Sequence, residues 1–223
     1  TVMLIIMAEN NGQLQIKGFG TGFFINSTQI LTNAHVVRGH DRIIVASAEM
    51  GLGIGRVVAV GQTSSGLGTD AAVVEVTGLS PINTISFAYS VFEGDNAAIG
   101  GFPGNIYRSD QKVAKFLTFI QERVVPSRED VPSARFSFGA IEGVYRDRQG
   151  NDNLQHSMET TGGNSGSAIV NACGHLIGLH YSGYSDDKDN SKFNYAHSFR
   201  QVEKFLRGNG IEFTRAPQEC NQG

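Results

Sequence analysis

The chain has 223 residues, 40 % of them hydrophobic and 17 % charged, which is enough apolar material for a buried core and argues against disorder. Its formal net charge is −3 and Lys and Arg form no run, so neither nucleic acid nor an anionic membrane is expected as the main partner. No apolar stretch reaches the length of a bilayer span.

Glycine is over-used, with 28 Gly against 5 Pro and no Trp, and it is scattered between short apolar runs. That distribution predicts many tight turns and an all-β chain. The opening run from Val2 to Ala8 is seven apolar residues with no basic segment before it, which reads as a strand rather than a signal peptide. With residues 13–18 it flanks Glu9-Asn10-Asn11-Gly12, whose Asn-Gly step favours a hairpin turn. Further strands are expected at 20–26, 29–33, 42–48, 54–61, 71–77, 96–101, 113–123, 135–145, 167–171, 175–181 and 193–197. No convincing helix separates them, so a parallel α/β sheet is disfavoured. The stretch from 78 to 95, with Gly78, Pro81, Asn83 and Gly94, reads as a crossing between two barrels and divides residues 1–88 from 89–223.

Residues 199–207 follow another period. Phe199, Val202, Phe205 and Leu206 fall on one helical face, Ser198 is placed to cap the start and Gly208 to end it, which predicts a helix packed against a barrel. Cys173 and Cys220 permit one disulfide, but spacing does not distinguish a bridge from two buried thiols. Neither sits in a metal-ligand pattern. The loop Ser185-Asp186-Asp187-Lys188-Asp189-Asn190 reads as a charged surface loop whose spacing does not fit an EF-hand.

Three segments carry chemistry. In Thr160-Thr161-Gly162-Gly163-Asn164-Ser165-Gly166-Ser167, glycines on both sides of Ser165 let the backbone turn sharply. The N–H groups of Gly163 and Ser165 are thereby expected to point into one cavity as an oxyanion hole. A serine hydroxyl becomes a useful nucleophile only when a base takes its proton and the resulting oxyanion is stabilised. The segment Leu31-Thr32-Asn33-Ala34-His35-Val36-Val37 presents a histidine at a turn after an apolar strand. Asp70, directly before the apolar run from Ala71 to Val74, is placed to accept the ring N–H of a histidine and fix its tautomer. The order is His35, Asp70, Ser165, as in the chymotrypsin arrangement.

With Gly20-Thr21-Gly22-Phe23-Phe24-Ile25, LTNAHVV, DAAVVEV and GGNSGSAI in place, the sequence resembles the trypsin-like peptidases. Within them it is similar to the staphylococcal glutamyl endopeptidase and exfoliative toxin group, through TTGGNSGS, Phe102-Pro103-Gly104 and Leu176-Ile177-Gly178-Leu179-His180. The resemblance implies two six-stranded antiparallel β-barrels with the site in the cleft between them. It implies a secreted, monomeric serine endopeptidase that forms an acyl-enzyme on a protein or peptide substrate, with no metal or organic cofactor. Asn164, where trypsin-type enzymes carry an aspartate, makes activation by pairing with a new N-terminal ammonium unavailable.

The same resemblance places Thr160 and His180 in the primary specificity pocket, where a hydroxyl and an imidazole can donate to a substrate carboxylate, with His197 behind His180. The expected preference is Glu or Asp before the scissile bond. Two other readings stand beside it: a Deg-like or polyprotein-processing protease of other specificity, and a non-catalytic binding protein on a protease scaffold.

Overall fold

The computed structural model describes residues 1–10, 13–40, 42–61, 68–107, 109–186 and 191–220. The Asn11-Gly12 step and residues 187–190 of the acidic loop lie outside them. The N-terminal half folds into strands β1 (Val2–Asn10), β2 (Gln13–Phe24) and β3 (Gln29–Thr32), a single helical turn α1 (Ala34–Val37), and strands β4 (Arg42–Ser47), β5 (Gly51–Val60) and β6 (Ala72–Thr77). These strands close an antiparallel barrel in the order β1-β2-β3-β6-β5-β4. Its interior follows the strand period of two: Val2, Leu4 and Ile6 of β1 meet Ile43 and Val45 of β4 and Val74 and Val76 of β6.

After a crossing segment come β7 (Ser86–Phe87), β8 (Asn96–Gly101), helices α2 (Gly104–Tyr107) and α3 (Gln111–Gln121), β9 (Arg135–Arg146), β10 (Asp152–His156), β11 (Ala168–Asn171), β12 (Leu176–Asp186), β13 (Ser191–Ser198), α4 (Phe199–Gly208) and β14 (Thr214–Arg215). The order β8-β9-β10-β13-β12-β11, with β11 returning to β8, closes a second six-stranded antiparallel barrel. Short parallel pairings attach β7 to β12 and β14 to β7. The expected C-terminal helix is α4, capped by the Ser198 hydroxyl and packed through Phe199, Val202, Phe205 and Leu206 into the second core. Cys173 and Cys220 are bridged, with their Cα atoms 5.8 Å apart.

One expected strand is a helix. Residues 113–123 fall in and just after α3, whose first turn is capped by the Asp110 carboxylate accepting from the N–H groups of Lys112 and Val113. Val113, Phe116 and Ile120 recur at helical spacing and are buried against Met3, Ile5 and Met7. Arg123, at φ 61°, turns the chain away in the left-handed region. This packing also explains why β1 is apolar at every position from 2 to 8 rather than alternately. One face fills the barrel and the other is covered by α3.

Candidate active site

β3 runs into the cleft between the barrels and ends at buried Asn33, whose extended backbone starts α1 and swings His35 outward. Asp70 stands just before β6, which pairs with β3, so the sheet itself brings the two together. Asp70 uses both carboxylate oxygens. Oδ1 accepts the His35 backbone N–H at 2.9 Å, and Oδ2 lies 2.5 Å from the ring Nδ1. A carboxylate only accepts, so Nδ1 carries a proton, and in the neutral ring the lone pair is then on Nε2. The His35 side chain is 49 % exposed and that of Asp70 only 17 %. Burial pushes the Asp70 carboxyl up, but the hydrogen bonds and charge of His35 outweigh it and hold the group below its ordinary value.

Asp70 is anchored on its backbone as well. Its carbonyl accepts from Asn33 Nδ2 at 2.7 Å, and its N–H donates to His197 Nε2 at 3.0 Å.

The Ser165 turn is built from carbonyls that are all engaged. Gly162 accepts from the Gly104 N–H at 2.6 Å, Gly163 from the Thr21 hydroxyl at 2.8 Å, Asn164 from the Ser167 N–H at 2.9 Å and Ser165 from the Thr21 N–H at 2.9 Å. In a trans peptide the next N–H points opposite to the carbonyl, so tying back Gly162 and Asn164 turns out the N–H groups of Gly163 and Ser165. Among the described residues neither N–H has an acceptor. Gly163 sits at φ 100°, and a Cβ there would lie 2.3 Å from the Phe102 carbonyl oxygen. At Gly166, φ 87°, a Cβ would lie 2.1 Å from the Thr21 carbonyl oxygen and 3.2 Å from the Asn33 nitrogen. The close approach that only glycine allows therefore seats the partly exposed Ser165 against the strand ends that carry His35.

The pocket residues are arranged differently from expectation. The Thr160 hydroxyl donates to Asn194 Oδ1 at 2.5 Å, and Asn194 Nδ2 donates to the Met158 carbonyl. His180 is 2 % exposed, and its Nδ1 lies 3.1 Å from Nε2 of His156, which is fully buried. Burial pushes His180 down to about 3, helped by the nearby His156 and His35, and burial alone pushes His156 down to about 4. The histidine behind His180 is thus His156 and not His197, because His156 lies on β10 while His197 faces Asp70 across the barrel interface. Asn194 and His156 are opposite each other in the β10–β13 ladder and were not singled out from the sequence. An inward position on a strand is their only signal, and many core polar residues share it. Glu159 is exposed and lines a cleft of about 110 Å³ with Arg135, Phe136, Thr161 and Asn164.

The description "Trypsin-like peptidase domain" matches residues 20–179, a span that holds β3, β6 and the Ser165 turn. The chain belongs to the trypsin-like peptidase family. Several of the relatives it matches are Deg-type serine proteases. It is 26 % identical over 196 residues to a probable periplasmic serine protease do/HhoA-like of Haemophilus influenzae, covering 86 % of this chain and 36 % of that protein. It is 27 % identical over 184 residues to the serine endoprotease DegS of Escherichia coli K12, covering 81 % and 44 %. The match to the glutamyl endopeptidase of Staphylococcus epidermidis is 43 % identical but limited to 60 residues, 27 % of this chain and 20 % of that one. The likeness to the glutamyl endopeptidase group is therefore confined to a short segment. A serine endoprotease from Yersinia pestis has the same fold, with a TM-score of 0.64 at 20 % identity over 93 % of this chain and 62 % of that one. The chain spans less than half the length of these curated relatives.

Proposed function

We propose that the chain cleaves peptide bonds with Ser165 as nucleophile, His35 as general base and Asp70 as its orienting carboxylate. The observation that carries this is the two-oxygen grip of Asp70 on His35, which fixes the ring by its Nδ1 and leaves Nε2 as the nitrogen available to act as base. The Ser165 proton passes to His35 Nε2 as Oγ bonds to the substrate carbonyl carbon. The carbonyl electron pair moves to oxygen, where the N–H groups of Gly163 and Ser165 stabilise it, each worth about 10²–10³ in kcat. Collapse breaks the C–N bond and His35 returns the proton to the leaving amine. Water then releases the acyl group from Ser165 by the same route. A fluorophosphonate probe is expected to label the intact chain and not Ser165→Ala. Equal labelling of both, or none of the folded chain together with no peptide hydrolysis, overturns the reading.

For specificity we favour a Deg-like reading, in which the residue before the scissile bond is uncharged. Thr160 spends its hydroxyl on Asn194, and His180 is buried, bonded to His156 and held neutral, so no fixed cation waits for a carboxylate. The acidic preference is the second reading, supported by Thr160 and His180 themselves and by the local 43 % identity to a glutamyl endopeptidase. A peptide library read by mass spectrometry separates them. Cleavage after neutral side chains is expected, and enrichment of Glu or Asp by about tenfold sinks the Deg-like choice, each tenfold being about 1.4 kcal/mol of discrimination. A location outside the cytoplasm is supported by the Cys173–Cys220 bridge, which persists in oxidising compartments.

A further inference from the structure

His197 lies on β13 of the second barrel, 127 residues from Asp70 in sequence, and the reaction proposed above gives it no role. It is 6 % exposed and both ring nitrogens are used. Nε2 lies 3.0 Å from the Asp70 nitrogen, and Nδ1 lies 3.1 Å from Asn153 Oδ1. The amide of Asn153 cannot be turned round, because its Nδ2 donates to Asp147 Oδ2 at 3.1 Å and to the Asn151 carbonyl at 3.2 Å. Its oxygen therefore faces His197 and demands a proton on Nδ1. The bare Nε2 then matches the group opposite it, the Asp70 backbone N–H. The chain has one polarity from end to end: the Asp147 carboxylate accepts from Asn153, Asn153 accepts from His197, and His197 accepts from Asp70. Tyr181 stacks on the imidazole at 4.5 Å with the rings 26° apart, closing one face. Asp70 is in this way held from behind by one barrel while it grips His35 in the other. Reversing the tautomer would set N–H against N–H.

We infer that His197 is a positioning residue for the His35–Asp70 pair, fixing the Asp70 backbone across the barrel interface so that both carboxylate oxygens meet His35. The inference rests on the function proposed for Ser165, His35 and Asp70, yet its test does not need turnover. Nitrogen-15 and proton NMR on the Ser165→Ala protein read the pair directly. His197 is expected as the Nδ1–H tautomer, with the hydrogen-bonded His35 Nδ1 proton far downfield. In His197→Leu that downfield resonance is expected to broaden or vanish, and His197→Gln, whose side-chain oxygen can accept from the Asp70 N–H, is expected to restore it. In the active chain His197→Leu is expected to lower kcat by about 10²-fold with KM within twofold, the scale of a small misplacement of a catalytic group. His197→Gln is expected to recover most of that loss.

Three results overturn the inference. One is an Nε2–H tautomer in the protein with native His197, a measurement that needs no His197 variant to fold. Another is a folded His197→Leu with its resonance intact and kcat within twofold. The third is a loss of kcat in His197→Leu that His197→Gln does not relieve. Failure of the fluorophosphonate labelling, by contrast, strikes the proposed reaction and leaves the NMR result standing.

Discussion

Asp70 shows how much of a site can depend on one residue's surroundings. Its side chain alone is a turn carboxylate. Its oxygens on His35, its carbonyl on Asn33 and its N–H on His197 make it one of the points where the two barrels meet. Three buried histidines lie on strands of the second barrel, and burial holds His156 and His197 at about 4 and His180 at about 3. All three values lie below the unfolded one, so the unfolded chain takes up protons first as the solution is acidified. The stability they contribute is complete above about pH 6.5 and is lost as the pH falls from there toward 4, on the order of 3 kcal/mol for His197 alone. Urea midpoints are expected to drop between pH 7 and pH 4.5. A flat or rising midpoint over that window contradicts the neutral, buried state of these rings. Asp70 adds nothing in that window, because its lowered carboxyl contributes only to losses below its ordinary range.

At the scale of elements, α3 is the instructive case. Residues 113–123 are rich in Val, Phe and Ile and look like a strand by composition, yet Val113, Phe116 and Ile120 share a helical face and Asp110 caps it. The periodicity is present in the sequence, but Ala114, Leu117 and Phe119 are apolar as well and blur it, and short segments do not separate a helix from a half-buried strand. What decides is the outer face of β1, where Met3, Ile5 and Met7 need cover. Phe116 is fully buried there. Phe116→Ala is expected to cost about 3–5 kcal/mol by urea denaturation, the range for emptying a phenylalanine site in a packed core. A loss under 1 kcal/mol would mean that α3 is not a structural cover for β1. The element that carries His197 makes a related point: β13 is read correctly as a strand, but what its histidine faces depends on Asp70, a hydrogen-bond partner in the other barrel 127 residues away.

At the scale of the whole molecule, closing both barrels pairs each barrel strand on both sides among the described residues, and the residues of the site come from segments next to strand ends at the barrel interface. The tail after α4 is returned to the body by β14 and by the Cys173–Cys220 bridge, whose partners are 47 residues apart. Cutting a loop of that length free is expected to lower stability by about 4 kcal/mol in the chain-entropy account. Comparing the Cys173→Ser, Cys220→Ser double variant with the oxidised chain by denaturation checks this, and an unchanged midpoint would show that the tail is held by packing alone.

The all-β class, the strand positions around the site and the C-terminal helix were legible because they are local. Turn chemistry, a period of two or 3.6 and the spacing of glycines are properties of a few consecutive residues. Glycine at 163 and 166 is likewise forced by positive φ and close approach, so the Ser165 turn announces itself in the chain. The partners of buried polar side chains are a different matter. His180 with His156, Thr160 with Asn194 and His197 with Asp70 are set by strand register and by which barrel faces which, and a shift of one residue along any of these strands would turn each side chain to the other face. The sequence therefore determines which residues enter the cleft. Closure of the two barrels onto each other decides what those residues touch, because a hydrogen bond is short and directional and its partner lies far away in the chain.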